Sequence, residues 1–224
     1  MALPNRSAVT SALAELFEVQ RRARELSQEI ATGDNQQVVD ALIDAIRSAR
    51  GRSSEEERTL QLSSIAQILG RVSGPGAVDA LVDILGSEEP EARHAAGVVL
   101  EDLAFDRFKE VALGIERALS QLPPDHLALP ELPYILIELP EPGVPKLLHR
   151  FLDHKNEEVV AAAIEAIVEI GDVTAAPKLA KLEKDARLIE LEDEEEGREG
   201  SVTIGELAQE ARSLLESEPG EEDA

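Results

Sequence analysis

Pro75-Gly76-Ala77-Val78-Asp79-Ala80-Leu81-Val82-Asp83-Ile84-Leu85 returns 67 residues later as Pro142-Gly143-Val144-Pro145-Lys146-Leu147-Leu148-His149-Arg150-Phe151-Leu152. The same offset runs on through the next helix, where Glu91, Ala95, Ala96, Leu100 and Leu103 meet Glu158, Ala162, Ala163, Ile167 and Ile170. An ungapped match over about 29 positions marks an internal repeat, and a repeat decides the fold before any single element does. The offset is about twice the length of one helix pair, so one further unit belongs between the copies. Arg107 to Gln121 reads as its first helix and Pro130 to Leu139 as a shorter partner. Fainter echoes lie outside: Val144-Pro145-Lys146-Leu147 reappears as Ala176-Pro177-Lys178-Leu179, and Val38 to Ile46 resembles Ala77 to Leu85. Five units result, starting near 34, 75, 107, 143 and 174.

Each unit is punctuated as two helices. In the fourth, Pro145 sits in a first turn, where its missing N–H costs nothing. Asn156 is placed to cap the following helix, with Glu157 and Glu158 in its first turn, and Gly171-Asp172 ends it. Leu147, Leu148, Phe151 and Leu152 recur at helical spacing, as do Val160, Ala163, Ile164, Ile167 and Ile170. Neither helix can bury its stripe alone, whereas stacked neighbours bury it continuously.

The run Val160-Ala161-Ala162-Ala163-Ile164-Glu165-Ala166-Ile167-Val168-Glu169-Ile170-Gly171-Asp172-Val173-Thr174-Ala175-Ala176-Pro177-Lys178-Leu179 resembles the HEAT-repeat family, especially its bacterial subtype related to phycobilisome lyases. The resemblance is good over 75–182 and weaker over 34–72. It implies an all-α fold: an α-solenoid of about five HEAT-like helix pairs over 34–217. Such scaffolds carry many tasks, so the resemblance implies a fold and leaves function open.

Both ends depart from the repeat. Residues 7–31 read as one amphipathic helix with Val9, Leu13, Leu16, Ala23, Leu26 and Ile30 on one face. As an extra helix it caps the first repeat, as solenoids require; the sharper reading is a homodimeric coiled coil, interrupted at Gln20. Near the other end, Arg187 to Asp193 alternates at period two and an acidic turn leads to Ser201-Val202-Thr203-Ile204, which predicts a small β-hairpin inserted over 187–204. Thr203 and Glu206 form a capping box for a closing helix with Leu207, Ala211, Leu214 and Leu215 on its buried face. The acidic tail 218–224 is expected to be disordered.

Composition sorts the functions. Hydrophobic residues make up 43% of the 224 and aromatics 2%, so the core is aliphatic and large enough to fold. The net charge of −24 disfavours nucleic acid and anionic membranes as partners, both of which call for a positive surface. It is read first as solubility and second as attraction for a basic partner. Cysteine is absent, which excludes disulfides and thiolate metal sites. No secretory signal and no run of ~20 apolar residues is visible, so a cytoplasmic protein is expected. Arginine outnumbers lysine 16 to 6, a bias of GC-rich bacterial genomes.

No catalytic signature emerges. Within the HEAT-like group, deoxyhypusine hydroxylases hold iron through repeated His-Glu pairs, but His94 is followed by Ala95, and the matching position in the fourth unit is Ala161. His126, His149 and His154 likewise lack partners of the right type. A bilin lyase needs a tetrapyrrole cleft, and a HEAT-like DNA glycosylase needs a basic groove; the sequence singles out neither. The chain is therefore expected to be no enzyme and to need neither cofactor nor metal.

What remains is a scaffold for another protein. The outward positions of the second helices are Glu158, Ala162, Glu165 and Glu169 in the fourth unit and Glu91, Ala95, Val98 and Asp102 in the second, with Tyr134 and Glu138 between them. Val98, Asp102, Tyr134, Glu138, Glu165 and Glu169 are the expected partner-binding residues, with a basic, partly apolar protein segment as the partner. Two alternatives stand beside this reading: a structural or regulatory subunit held through its N-terminal helix, and a bilin-lyase-like or other unrecognised enzyme.

Overall fold

The computed structural model describes residues 6–193 and 198–217. The expected tail, 218–224, and the acidic segment 194–197 lie outside the described residues. The chain runs α1 (Arg6–Ala31), α2 (Asn35–Arg50), α3 (Glu55–Leu69), α4 (Pro75–Leu85), α5 (Pro90–Gln121), α6 (Val144–Phe151), α7 (Glu157–Glu169), α8 (Ala176–Leu182), β1 (Leu188–Asp193), β2 (Arg198–Thr203) and α9 (Ile204–Ser217). It is an all-α repeat solenoid with one antiparallel hairpin, registered from Leu188↔Thr203 to Asp193↔Arg198.

Local chemistry sets the boundaries. Side chains of Asp34, Ser54 and Asn156 accept from the backbone N–H groups of Gln37, Glu57 and Val159, which satisfies otherwise orphaned helix-start donors. After α7, Gly171 takes φ 65°. Its N–H reaches the Val168 carbonyl and that of Asp172 reaches Ile167, the pair of bonds that closes a helix through a left-handed residue. The capping box forms reciprocally: Glu206 N–H donates to Thr203 Oγ1 at 3.1 Å, and Thr203 N–H donates to the Glu206 carboxylate at 2.8 Å. Those bonds hold the Glu206 carboxyl below its usual range. On α9, Ala211 and Leu215 are buried, but Leu214 is exposed, contrary to its expected place on the inner face.

Two layers result. First helices α2, α4, the second half of α5, α6 and α8 lie side by side; α3, the first half of α5, the 130–139 segment, α7 and α9 form the other layer. One continuous buried cluster between them runs from Val39 to Leu215. Charge pairs tie successive first helices together. Arg50 donates to both Asp83 carboxylate oxygens at 3.0 and 3.1 Å, and Arg117 forks onto Asp79 with its shortest bond at 2.7 Å. Arg150 pairs with Glu116, and Lys178 bonds both Asp153 and the His149 carbonyl.

The third unit departs from its expected form twice. Its first helix is continuous with the second helix of the unit before: α5 spans 32 residues and leaves helical geometry only at Arg107, with φ −137° and ψ 48°. Phe105-Asp106-Arg107-Phe108 contains no glycine or proline to stop a helix, so the chain bends. The Arg107 guanidinium fixes the bend by donating to Ser73 Oγ and to the Gly70 and Val72 carbonyls just beyond the end of α3, where a cation is favoured. The expected second helix, 130–139, is a series of turns around one 3-10 turn, Tyr134–Leu136. Pro133, a turn inside the expected helix, removes a donor that the helix would need, whereas Pro130 at its first position removes none. The segment still buries Leu132 and Leu136 completely, as the chain buries Leu129 just before it.

α1 stands at the N-terminal end of the stack but does not lay its stripe on it. None of its residues is buried, and it meets the first unit near its last turn, where Ser27 and Ala31 are half-buried.

Candidate functional site

Along the second-helix layer, three clefts join end to end. The first, about 850 Å³, lies between α3 and the start of α5, with Glu55, Glu56, Leu60 and Glu91 on its walls. Pro90 is shared with the second, about 300 Å³, where His94, Val98, Glu101 and Glu131 face one another. Tyr134 is shared with the third, about 340 Å³, which it lines together with Ile137, Glu138, Glu165 and Glu169. The joined groove carries eight carboxylates, and of its two basic groups, Arg93 and His94, the arginine is engaged with the Ser87 carbonyl at 3.2 Å.

Tyr134 stands where the second and third clefts meet. It is 43% exposed, and its hydroxyl donates to Glu165 Oε2 at 2.5 Å. Partial burial first, then the Glu165 bond and the neighbouring Glu165 and Glu131 charges, raises its pKa well above the ordinary tyrosine range. The phenol is therefore a donor tied to Glu165, on a side chain that lines both clefts. Leu60 and Val98 are the other apolar points, at 67% and 41% exposure.

Of the residues expected from sequence, Val98, Tyr134, Glu138, Glu165 and Glu169 come together in this groove. Asp102 does not: it is exposed on α5, but Glu101 lines the cleft in its place. The groove side of α5 is one residue out of phase with the face inferred from the repeat. Ala162, also read as outward, is buried at 4% exposure because α7 is covered on both flanks by the 130–139 segment and α9. Sequence reasoning missed Glu131, Glu101 and the α3 wall of the first cleft, whose other wall carries Glu91, read as outward. Leu60, an exposed leucine amid the polar residues of α3, was the available signal for that cleft.

The histidines serve the frame or the groove wall. His126 Nδ1 accepts from Ala128 N–H, and His154 Nδ1 accepts from Asn156 N–H at 3.1 Å. Burial lowers the His154 pKa, opposed by that bond and reinforced by Arg187 and Lys155. His149 Nε2 lies 2.6 Å from Asp172 Oδ2, while Asp172 also accepts from the backbone and hydroxyl of Thr174. This pair latches α6 to the entry of α8 and lines none of the three clefts. Among the described residues, no group of three or more metal-ligating side chains converges, and no helix is long and apolar enough to cross a membrane.

No family model matches the chain, and no curated protein matches it. Solved structures similar to it include engineered proteins. One engineered protein shares 20% identity at a TM-score of 0.36, covering 87% of this chain and 89% of its own. A computationally designed armadillo repeat protein for modular peptide recognition shares 20% at 0.35, covering 88% and 93%. A designed armadillo repeat protein in complex with the peptide (KR)4 shares 21% at 0.35, covering 89% and 94%.

Proposed function

We propose that this chain is a HEAT-type scaffold, of the bacterial kind related to phycobilisome-lyase repeats, that binds an extended basic segment of another protein in the second-helix groove and catalyses no reaction. The observation that carries this reading is the continuity of the three clefts through Pro90 and Tyr134. A compact substrate needs one enclosed pocket; a chain of open clefts with apolar points at Leu60, Val98 and Tyr134 suits an extended peptide that alternates cationic and apolar side chains. Tyr134 is the anchor, because a half-buried, pre-oriented aromatic loses little freedom on binding. The eight carboxylates accelerate and orient encounter. The same carboxylates repel nucleic acid and anionic lipid, so neither is a partner here. The mode of action calls for no cofactor or metal, and the cytoplasm is the proposed site of action.

The test uses a fluorescent decapeptide alternating arginine and leucine, titrated into the full chain by anisotropy. Affinity should fall as salt rises, since exposed charges beyond ~8–10 Å are screened at physiological ionic strength. Glu165→Lys with Glu169→Lys should weaken binding at least tenfold while leaving the melting temperature nearly unchanged, and Tyr134→Ala should do the same at high salt. Binding that survives all three substitutions together would place the site elsewhere.

A further inference from the structure

α1 holds seven of the sixteen exposed large apolar side chains among the described residues: Val9, Leu13, Leu16, Phe17, Val19, Leu26 and Ile30, each 42–61% exposed. A helix of 26 residues that shows this much apolar surface to water is incomplete by itself. Its pattern is also more regular than a single face through Leu13 suggests. Counted from Val9 in steps of three and four, the seam is Val9, Ala12, Leu16, Val19, Ala23, Leu26 and Ile30. Every position of that seven-residue repeat is apolar, and Gln20 falls beside the seam and not in it.

Electrostatics names the occupant. The chain as a whole carries −24, but α1 sets four arginines, at 6, 21, 22 and 24, against four glutamates, at 15, 18, 25 and 29. It is the neutral stretch of an acidic molecule, and so the part at which two such molecules approach without mutual repulsion. The residues flanking the seam then select the direction. In a parallel pair Glu15 and Arg22 would face Gln20 and Ser27 of the other helix, and no charge pair forms. In an antiparallel pair centred on Leu16 against Val19, the flanks bring Glu15 of each copy to Arg22 of the other, twice by symmetry. Antiparallel packing also sends the two acidic solenoids to opposite ends of the seam, beyond the ~8 Å Debye length.

We infer that α1 is a homodimerisation helix that pairs with α1 of a second copy as an antiparallel two-stranded coil, with Leu16–Val19 layers at its centre and Glu15–Arg22 pairs at its flanks. Six layers, from Val9 against Leu26 through Ala12 against Ala23, bury on the order of 1,200 Å² in total, the lower end of specific interfaces. The dimer would carry two grooves, so a partner with two basic segments would gain avidity.

Sedimentation equilibrium of the full chain should return twice the 24.2 kDa chain mass at micromolar concentration. Leu16→Glu with Val19→Glu should give a monomer whose melting curve and peptide affinity match the parent's, because both side chains are exposed and neither lines the groove. Orientation is read with cysteines in this cysteine-free chain: Val9→Cys mixed with Leu26→Cys should form the mixed disulfide in preference to either symmetric one. A parent that stays monomeric overturns the proposal, as does a dimer that survives the double glutamate substitution. Symmetric Val9→Cys disulfides would show a parallel pair and overturn it too. Recovery of the chain with floated phosphatidylcholine vesicles, in place of self-association, would assign the stripe to a lipid surface.

Discussion

Phe151→Ala tests the packing inference most directly. Phe151 is fully buried and heads the largest of the enclosed side chains, at the end of α6, the first helix of the fourth unit. Truncation removes the whole ring. Withdrawing roughly 100 Å² of apolar surface at ~25 cal/mol/Å² forfeits about 2.5 kcal/mol. A residual cavity of roughly 80 Å³ at ~24 cal/mol/Å³ adds about 2 kcal/mol, giving an expected loss of 4–5 kcal/mol, ~3 if the neighbours collapse inward. Urea denaturation followed by far-UV circular dichroism measures it, with Phe151→Leu alongside, which should cost under about 1.5 kcal/mol. Stacked units need not unfold together, so a split transition is informative: the part holding units four and five should melt first. A loss below about 1 kcal/mol for the alanine variant would mean that the ring is not enclosed, and the assignment of inner and outer faces of the first helices would fall with it.

Three further outcomes follow from single contacts. A Cβ at Gly86 would lie 2.4 Å from His126 Cε1, so Gly86→Ala should cost about 1–3 kcal/mol; combined with His126→Ala the loss should be less than the sum, by urea melts of the double-mutant cycle. His154 has a depressed pKa, so below about 6.5 the unfolded imidazole takes up a proton that the folded one refuses. Stability is therefore complete above that pH and declines as pH falls toward the folded value; His154→Asn should flatten the decline of melting temperature between about pH 7.5 and 5.5. Glu89, buried and bonded to Arg58 Nε at 2.5 Å, has a carboxyl held low chiefly by that bond. Its contribution is present above about pH 4.3 and lost as pH falls through its folded value, and Glu89→Gln should lower the melting temperature at neutral pH and weaken the acid dependence.

The repeat made most of this architecture legible. A 67-residue offset compares the chain with itself, and Pro145, Asn156 and Gly171 mark helix ends by mechanisms that act within a few residues. The third unit was illegible for the same reason. Whether Arg107 ends a helix or bends it depends on the Gly70 and Val72 carbonyls more than thirty residues away, and nothing local encodes them. Pro133, inside the expected helix, was the local sign that 130–139 is no regular helix. Glu165 and Glu169 were found because the helical period of α7 orients them, whereas Tyr134 and Glu138 reach the groove from a segment that is not the helix expected there. Asp102 was named where Glu101 lines the cleft, because the repeat offset fixes the face of α5 only to within about one residue. α1 read as covering the first unit because its stripe demands a partner; the sequence has no means of saying whether that partner belongs to the same molecule.

The ion-pair ties between first helices lie on the far side of the molecule from the groove, one across each joint. They fix the line about which neighbouring units rotate, much as a spine fixes how the pages of a book open. With the pivot held by Arg50–Asp83, Arg117–Asp79, Arg150–Glu116 and Lys178–Asp153, small rotations at each joint add along the chain, and they change the spacing of the second helices more than that of the first. Groove width is then the soft coordinate of the structure. Because most of these ties are themselves partly exposed, ionic strength sets the stiffness of the hinge as well as the charge of the groove.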